Sequence, residues 1–145
     1  MEKGTLALLY VLTVQWQFMW VAIVEDQEAV GRSLKRRLRG DLGVEAYVAG
    51  DLAAMLEHLS RLGPPGALIL DHSLADGVTG ASVLAALRRG GTTAPCAFWT
   101  GSGSRAVAHA LRVAGIDERP PCFTKGDDAI IAWIHAVLLA SPLSI

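Results

Sequence analysis

Five polar side chains in this sequence could act together chemically, and each follows a short run of apolar or β-forming residues. Glu25 and Asp26 follow one such run, and Asp71, Thr100 and Lys125 stand at the ends of three later ones. Crowded carboxylates repel one another, and a hard divalent cation such as Mg2+ would relieve that repulsion. The hydroxyl of Thr100 and the ammonium of Lys125 would add one neutral and one positive group to such a cation site.

The segments that must position these side chains read as strands alternating with amphipathic helices. Continuous apolar runs bounded by turn residues are typical of buried strands. On this basis we predict strands over residues 20–24, 44–48, 67–70, 95–100 and 122–124.

Helices are predicted where apolar residues recur every third or fourth position. The first is expected to end at Gly40, and Asp51 is expected to cap the second. The remaining helices are predicted around residues 83–87, over 105–113 and from Asp127-Asp128 to about Leu138.

This alternation predicts an α/β fold, a doubly wound parallel sheet of five strands with helices on both faces. The expected strand order is 2-1-3-4-5, as in flavodoxin-like folds. In such sheets ligands bind beyond the carboxyl ends of the strands, where the strand order reverses. The five polar residues are therefore expected to meet at one edge.

Each of these residues alone has a simpler explanation. A single Asp at a strand end is more often a turn residue or a helix cap, and Lys125 alone would be a solvated lysine. Thr100 alone would reflect β propensity. An acidic pair, Asp, Thr and Lys in this order at successive strand ends is a much less probable coincidence, so the set indicates a site.

The set resembles the receiver domain of two-component response regulators, over about residues 19–139. The motifs that carry the resemblance are Val24-Glu25-Asp26-Gln27, Leu68-Ile69-Leu70-Asp71 followed by Leu74-Ala75-Asp76-Gly77-Val78-Thr79-Gly80, then Thr100-Gly101, and Lys125.

The resemblance implies that Asp71 accepts a phosphoryl group from a sensor histidine kinase or a phosphotransfer protein. It also implies that Glu25, Asp26, Asp71 and the backbone carbonyl of Ser73 hold Mg2+. Thr100 would then bond a phosphoryl oxygen, and Lys125 would pair with the carboxylate or the phosphoryl group. Such a domain signals through protein contacts and is not an enzyme in the ordinary sense.

The sequence departs from the family pattern at three positions. Ala75 and Gly126 stand where receivers usually carry Pro, and Cys122 stands where they usually carry an aromatic residue that reports phosphorylation. Phe123 is not expected to replace that aromatic, because adjacent strand residues point to opposite faces. Phe98-Trp99-Thr100-Gly101 is similar to a receiver subgroup with Phe-Ala-Thr-Gly in strand four. The expected output is therefore a change in mobility of residues 101–104 and the helix after them.

Three functions fit these residues to different degrees. The first is a stand-alone phosphoaccepting receiver, since no output domain follows Ile145 in this sequence. The second is a degenerate receiver that acts as a phosphorylation-independent interaction module. A small phosphohydrolase is disfavoured, because Ser73 stands where those enzymes need a second acid.

Composition limits the remaining possibilities. The 145 residues are predicted to form one receiver domain over 19–140, with an apolar extension at 1–18 and a tail at 141–145. A net charge of -1 argues against nucleic-acid binding, and two cysteines do not form a disulfide framework, which favours the cytoplasm. Residues 4–24 lack charge, which is about the length that could cross a membrane. Because residues 19–24 are expected to form the first strand, a membrane anchor is disfavoured. The extension is expected instead to pack on the domain or to pair two copies of it.

Overall fold

The computed structural model describes residues 19–141, and they form a sheet of five parallel strands. The sheet order is β2-β1-β3-β4-β5, which confirms the predicted topology. The strands are β1 (Trp20–Val24), β2 (Glu45–Ala49), β3 (Ala67–Leu70), β4 (Cys96–Thr100) and β5 (Cys122–Thr124).

Each strand is followed by a helix, so every connection between neighbouring parallel strands is a crossover. A short 3-10 turn (Ala75–Gly77) also lies between β3 and the helix that follows it. The helices are α1 (Glu28–Leu42), α2 (Leu52–Leu62), α3 (Gly80–Arg89), α4 (Ser104–Val113) and α5 (Ala129–Ala140). Among the described residues, no helix has both the length and the apolar character needed to cross a membrane.

The core has two layers, one on each face of the sheet, because successive strand residues point to opposite sides. Val21 and Ile23 of β1 pack with residues of α1 and α5, whereas Ala22 and Val24 pack with residues of α2, α3 and α4. Both layers are closely packed, since residues 21–24 are all fully buried. The central strands β1, β3 and β4 are therefore covered by helices on both faces, as the prediction of a doubly wound sheet requires.

The prediction that the first helix ends at Gly40 is wrong, because α1 continues to Leu42. The helix ends at Gly43, whose φ of 66° is left-handed and whose N–H donates to the carbonyl of Arg39. A glycine in this conformation satisfies the last carbonyls of a helix without a Cβ clash, whereas Gly40 keeps the helical hydrogen bonding. The Asp51 cap is confirmed by a hydrogen bond from Ala54 N to Asp51 Oδ1 of 2.8 Å.

Gly80 begins α3 in direct contact with the backbone of Asp71. A β-carbon at residue 80 would lie 2.1 Å from the carbonyl oxygen of Asp71 and 3.0 Å from the Phe98 ring. The N–H of Gly80 also donates to the carbonyl of His72, at 2.8 Å. Only a residue without a β-carbon lets α3 start this close to the end of β3.

We expect Gly80→Ala to lower the free energy of unfolding by about 2–4 kcal/mol, because the obstructing atom is backbone and cannot rotate away. Urea unfolding followed by circular dichroism measures the change. Gly40→Ala is the matched control: nothing lies within 4 Å of its β-carbon position, and Gly40 is exposed inside α1. There alanine should stabilise the protein by about 0.5–1 kcal/mol. Equal effects at the two positions would contradict the proposed close contact.

Candidate functional site

The sheet itself holds the backbone of the candidate site residues, because its hydrogen-bond ladder continues one residue past the strand ends. Glu25 N donates to the carbonyl of Ala49 at 2.9 Å, and Asp71 N donates to that of Val24 at 3.0 Å. On the other side of the site, Lys125 N donates to the carbonyl of Thr100 at 3.2 Å. The predicted convergence at one edge of the sheet is therefore present in the structure.

Lys125 joins two of the acidic residues through its ammonium group. Its Nζ lies 2.9 Å from Asp71 Oδ2, to which it donates a hydrogen bond, and 2.9 Å from Glu25 Oε2. The contact between Lys125 Nζ and Glu25 Oε2 is an ion pair by its distance, but its angles are not those of a hydrogen bond. It places the ammonium between the two carboxylates. Glu25 and Asp71 are only 2% and 5% exposed, so water screens these interactions weakly.

Glu25, Asp26 and Asp71 form a cluster in which one carboxylate oxygen from each lies within 4.8 Å of the other two. Asp26 is exposed, whereas the other two are buried, so the cluster opens to solvent on the side of Asp26. Carboxylate oxygens are the protein ligands that Mg2+ prefers. These three residues could therefore hold a divalent cation.

The pKa of Glu25 reflects this crowding. Burial, together with a hydrogen bond to Asp71, raises the pKa of Glu25 from 4.5 to about 7, against the opposing effect of Lys125. Without a cation the cluster thus relieves its excess negative charge by keeping a proton on Glu25 near neutral pH.

Asp71 and Lys125 are shifted toward their charged forms. Burial alone would raise the pKa of Asp71, but hydrogen bonds from Glu25, Lys125 and Thr100 lower it below the usual value of 3.8. Burial would lower the pKa of Lys125, but its bonds to Asp71 and Glu25 raise it above 10.5. At neutral pH the site therefore contains an ionised Asp71 beside a protonated Lys125.

Thr100 is 2% exposed, and its hydroxyl lies between the acidic cluster and the loop after β4. Its Oγ1 accepts a hydrogen bond of 3.1 Å from the N–H of Ser102. The same side chain contributes to the low pKa of Asp71. Thr100 therefore connects the predicted acceptor to the loop over residues 101–104.

Ser73 lies on the loop that follows Asp71, where it forms an isolated antiparallel bridge with Thr79. Leu74 N also donates to the carbonyl of Val78 at 2.9 Å, which closes the loop around the 3-10 turn. The turn forms although Ala75 stands at the position where the family usually has Pro. The role of the Ser73 carbonyl as a metal ligand stays a prediction.

The segment after Lys125 turns without the usual Pro. Gly126 has a φ of 92°, and Asp127 N donates to the carbonyl of Thr124 at 3.0 Å. All peptide bonds within residues 19–141 are trans. Gly126 thus supplies the turn through its positive φ, and the Lys125 side chain still reaches Asp71.

Trp99 is a site neighbour that the sequence alone did not indicate. Lys125 Nζ lies 5.7 Å from the centre of its ring, within range of a cation–π interaction. Trp99 is 7% exposed and packs with the layer that includes α1 and α5. A large aromatic residue immediately before Thr100 was the available signal, but β propensity explained it equally well.

The position of Phe123 confirms that it does not replace the missing aromatic at Cys122. Its ring packs at 6.2 Å from that of Trp133 in α5, on the opposite face of β5 from Cys122. Cys122 is exposed beside α4 and lines a cleft of about 290 Å³ with Arg105 and Leu111. Both cysteines are free thiols, and Cys96 is buried whereas Cys122 is exposed.

The raised pKa of Glu25 predicts a pH-dependent stability in the absence of divalent cations. Because this pKa is about 7 in the folded protein and 4.5 ordinarily, the protonated carboxyl stabilises the fold at low pH. That contribution is complete below pH 4.5 and is lost as the pH rises through 7. Relative to Glu25→Gln, the wild-type free energy of unfolding should fall by on the order of 2 kcal/mol between pH 5 and pH 8 in EDTA.

Urea unfolding at several pH values measures this difference, and Glu57→Gln, an exposed carboxylate on α2, is the control. The control should follow the wild-type pH profile. If the free energy of unfolding of the wild type changed with pH in parallel with that of Glu25→Gln, the raised pKa would not belong to Glu25.

Several solved structures of receiver domains have this fold. The receiver domain of the Francisella response regulator 1452 is 18% identical, over 83% of this chain and 97% of that one, with a TM-score of 0.64. The non-phosphorylated HemR receiver domain from Leptospira biflexa is 21% identical, over 86% and 97%, with a TM-score of 0.65. The BeF3-activated N-terminal receiver domain of Klebsiella pneumoniae RstA is also 21% identical, over 82% of this chain and 97% of that one, with a TM-score of 0.65. Among curated proteins, none matches this sequence.

The response regulator receiver domain family has a model that matches residues 21–119. The match spans β1 to the segment before β5, and so includes Glu25, Asp26, Asp71 and Thr100 but stops short of Lys125. Lys125 nevertheless bonds to Asp71 in the structure, which extends the resemblance beyond the matched residues. This chain belongs to the response regulator receiver domain family.

Proposed function

We propose that this chain accepts a phosphoryl group on Asp71 in a Mg2+-dependent reaction and signals through altered contacts with other proteins. The donor would be a phosphohistidine of a sensor histidine kinase or a phosphotransfer protein. The observation that carries the proposal is the position of Lys125, whose ammonium lies 2.9 Å from both Asp71 and Glu25. The receiver family supports the general function, and the site supports this specific form of it.

The state of Asp71 suits an acceptor. Its low pKa keeps the carboxylate ionised, so that an oxygen can attack phosphorus without first losing a proton. The P–N bond to the donor histidine would break as the P–O bond to Asp71 forms, and the electron pair of the broken bond would stay on the imidazole. Asp71 would then carry an acyl phosphate that water can hydrolyse.

The charge balance of the cluster supports a cation at Glu25, Asp26 and Asp71. Three carboxylates face a single ammonium, and burial beside Asp71 raises the pKa of Glu25, so a cation would lower the cost of ionising it. We expect these residues to hold Mg2+, with the Ser73 carbonyl as a further ligand. When bound, Mg2+ would neutralise negative charge on the phosphoryl oxygens.

Lys125 and Thr100 are the remaining groups for stabilising the transferred phosphoryl group. The Lys125 ammonium is a mobile point charge that can stay with Asp71 or move to a phosphoryl oxygen. The hydroxyl of Thr100 can donate one hydrogen bond while it accepts another. Both side chains are already fixed within reach of Asp71, so little ordering is left for the moment of transfer.

The alternative is a degenerate receiver that binds its partners without phosphorylation, which Ala75, Gly126 and Cys122 favour. We place the active form ahead, because Gly126 leaves the contact of Lys125 with Asp71 intact. We also propose residues 19–140 as the receiver unit and a cytoplasmic setting, consistent with the free thiols.

Signal output is proposed to start from the hydrogen bond between Thr100 and Ser102. A rotation of Thr100 toward a phosphoryl oxygen would move its Oγ1 relative to the N–H of Ser102 and so disturb the loop over residues 101–104. Since α4 begins at Ser104, that loop leads directly into the helix.

We expect Asp71 to be modified when the protein is incubated with a small phosphodonor and Mg2+. Intact mass spectrometry should show one phosphoryl adduct, absent when EDTA replaces Mg2+ and absent from Asp71→Asn. Asp76→Asn is the matched control, because Asp76 is an exposed carboxylate on the same loop and should leave the adduct unchanged. An adduct that persists in Asp71→Asn, or none in the wild type, would rule out the active-receiver proposal and favour the degenerate form.

Hydrogen exchange tests the output proposal separately. Amides over residues 101–114 should exchange several-fold faster after phosphorylation, because the Thr100–Ser102 link is disturbed, while α2 should stay unchanged. Unchanged exchange over residues 101–114 in a sample that carries the adduct would overturn the output mechanism and leave the acceptor chemistry standing.

A further inference from the structure

Helix α5 carries no formally charged side chain, and the exposed His135 is the one polar residue among its twelve. Its sequence, AIIAWIHAVLLA, contains no charged residue over twelve positions, whereas α1, α2, α3 and α4 each carry arginine in their last turn. Ile130, Ile131, Ile134 and Leu138 fill the inner face and are buried against the sheet. A helix with so little polar surface is ordinarily buried on most of its sides.

The outer face of α5 is nevertheless exposed in residues 19–141. Ala132 and Ala136 are exposed along it, and Leu139 is 66% exposed. Trp133 and Val137 are half-buried at its border. We call this surface, formed by Ala132, Trp133, His135, Ala136, Val137 and Leu139, the α5 face.

The chain that precedes β1 has matching chemistry. Residues 4–18 carry no charge, and they contain leucine, valine, tryptophan and phenylalanine. An uncharged segment and an uncharged helix face can bury one another without stranding a charge. These residues lie outside the part of the chain that the structure describes.

This segment enters the described domain beside the C-terminal turn of α5. Met19 Cε and Leu138 Cδ2 lie 3.0 Å and 2.6 Å from the position that a β-carbon of Gly66 would take. Met19 and Leu138 therefore meet over the same glycine. Met19, where the segment is attached, therefore lies near the C-terminal end of α5.

The segment that precedes Met19 is also long enough to cover α5. At 1.5 Å per residue, α5 is about 18 Å long, and residues 5–18 would span about 21 Å as a helix. In an extended form the same residues would reach about twice as far. Either form can cover the whole α5 face from its attachment point.

We propose that residues 5–18 cover the α5 face of the same molecule. Attachment through Met19 keeps the segment at an effective concentration of the order of millimolar, well above what a second copy supplies in dilute solution. The apolar area buried on both sides would stabilise the contact. This inference does not depend on phosphorylation of Asp71.

Thiol labelling of the full chain tests the proposal. In a Cys122→Ser background, where Cys96 stays buried, a cysteine is introduced on the α5 face by Ala136→Cys. Ala53→Cys is the matched control, because Ala53 is an exposed alanine on α2, a helix that packs on the other face of the sheet. Modification by a maleimide should be at least tenfold slower at position 136 than at position 53, at both low and high protein concentrations.

Two substitutions in the segment identify what covers the α5 face. Leu8→Asp with Leu12→Asp should raise the rate at position 136 to that at position 53, with no change at 53, because a charged segment would leave the apolar face. Circular dichroism should show the fold retained.

Three results would overturn the proposal. The first is equal labelling rates at positions 136 and 53. The second is a slow labelling rate at position 136 that increases on dilution, which would indicate a second copy. The third is slow labelling at position 136 that the Leu8→Asp and Leu12→Asp substitutions leave unchanged. Protection that requires added phosphatidylcholine vesicles would instead assign the α5 face to a membrane.

Discussion

The site depends on balancing three carboxylates with too few positive charges. Glu25, Asp26 and Asp71 lie within 4.8 Å of one another, and the ammonium of Lys125 is placed between two of them. Buried like charges are costly unless they are paired or neutralised by a proton or a cation. The site is therefore built to take up positive charge, and the folded protein must support the cost of keeping the carboxylates together.

The topology of the sheet holds the carboxylates together in spite of their repulsion. Because β1 lies between β2 and β3, and β4 separates β3 from β5, all the site residues emerge from one edge of the sheet, and β1, β3 and β4 are buried on both faces. Their backbones are also bonded across the sheet, so the carboxylates cannot easily move apart. The absence of a β-carbon at Gly80 then lets α3 pack directly against the end of β3.

Much of this arrangement is predictable from sequence, because the rules involved are local or topological. Apolar runs identify the strands, alternation with helices fixes a doubly wound sheet, and strand-end position brings the polar residues together. The end of α1 was mispredicted because Gly40 and Gly43 look alike in sequence, and only φ shows which of them leaves the helix. The contacts of Gly80 and Trp99 depend on distances between elements, which no local pattern encodes.

The exchange of an aromatic residue for Cys122 constrains how this receiver can respond. A signal can shift a conformational equilibrium only by the difference in interactions it makes in the two states. A large ring that moves between buried and exposed positions supplies such a difference, whereas a small exposed thiol changes little buried area. In the proposed output mechanism, the free energy for moving α4 would come instead through the buried Thr100 hydroxyl, which is bonded to the loop at Ser102. A receiver of this kind would transmit its state through the β4–α4 loop instead of through β5.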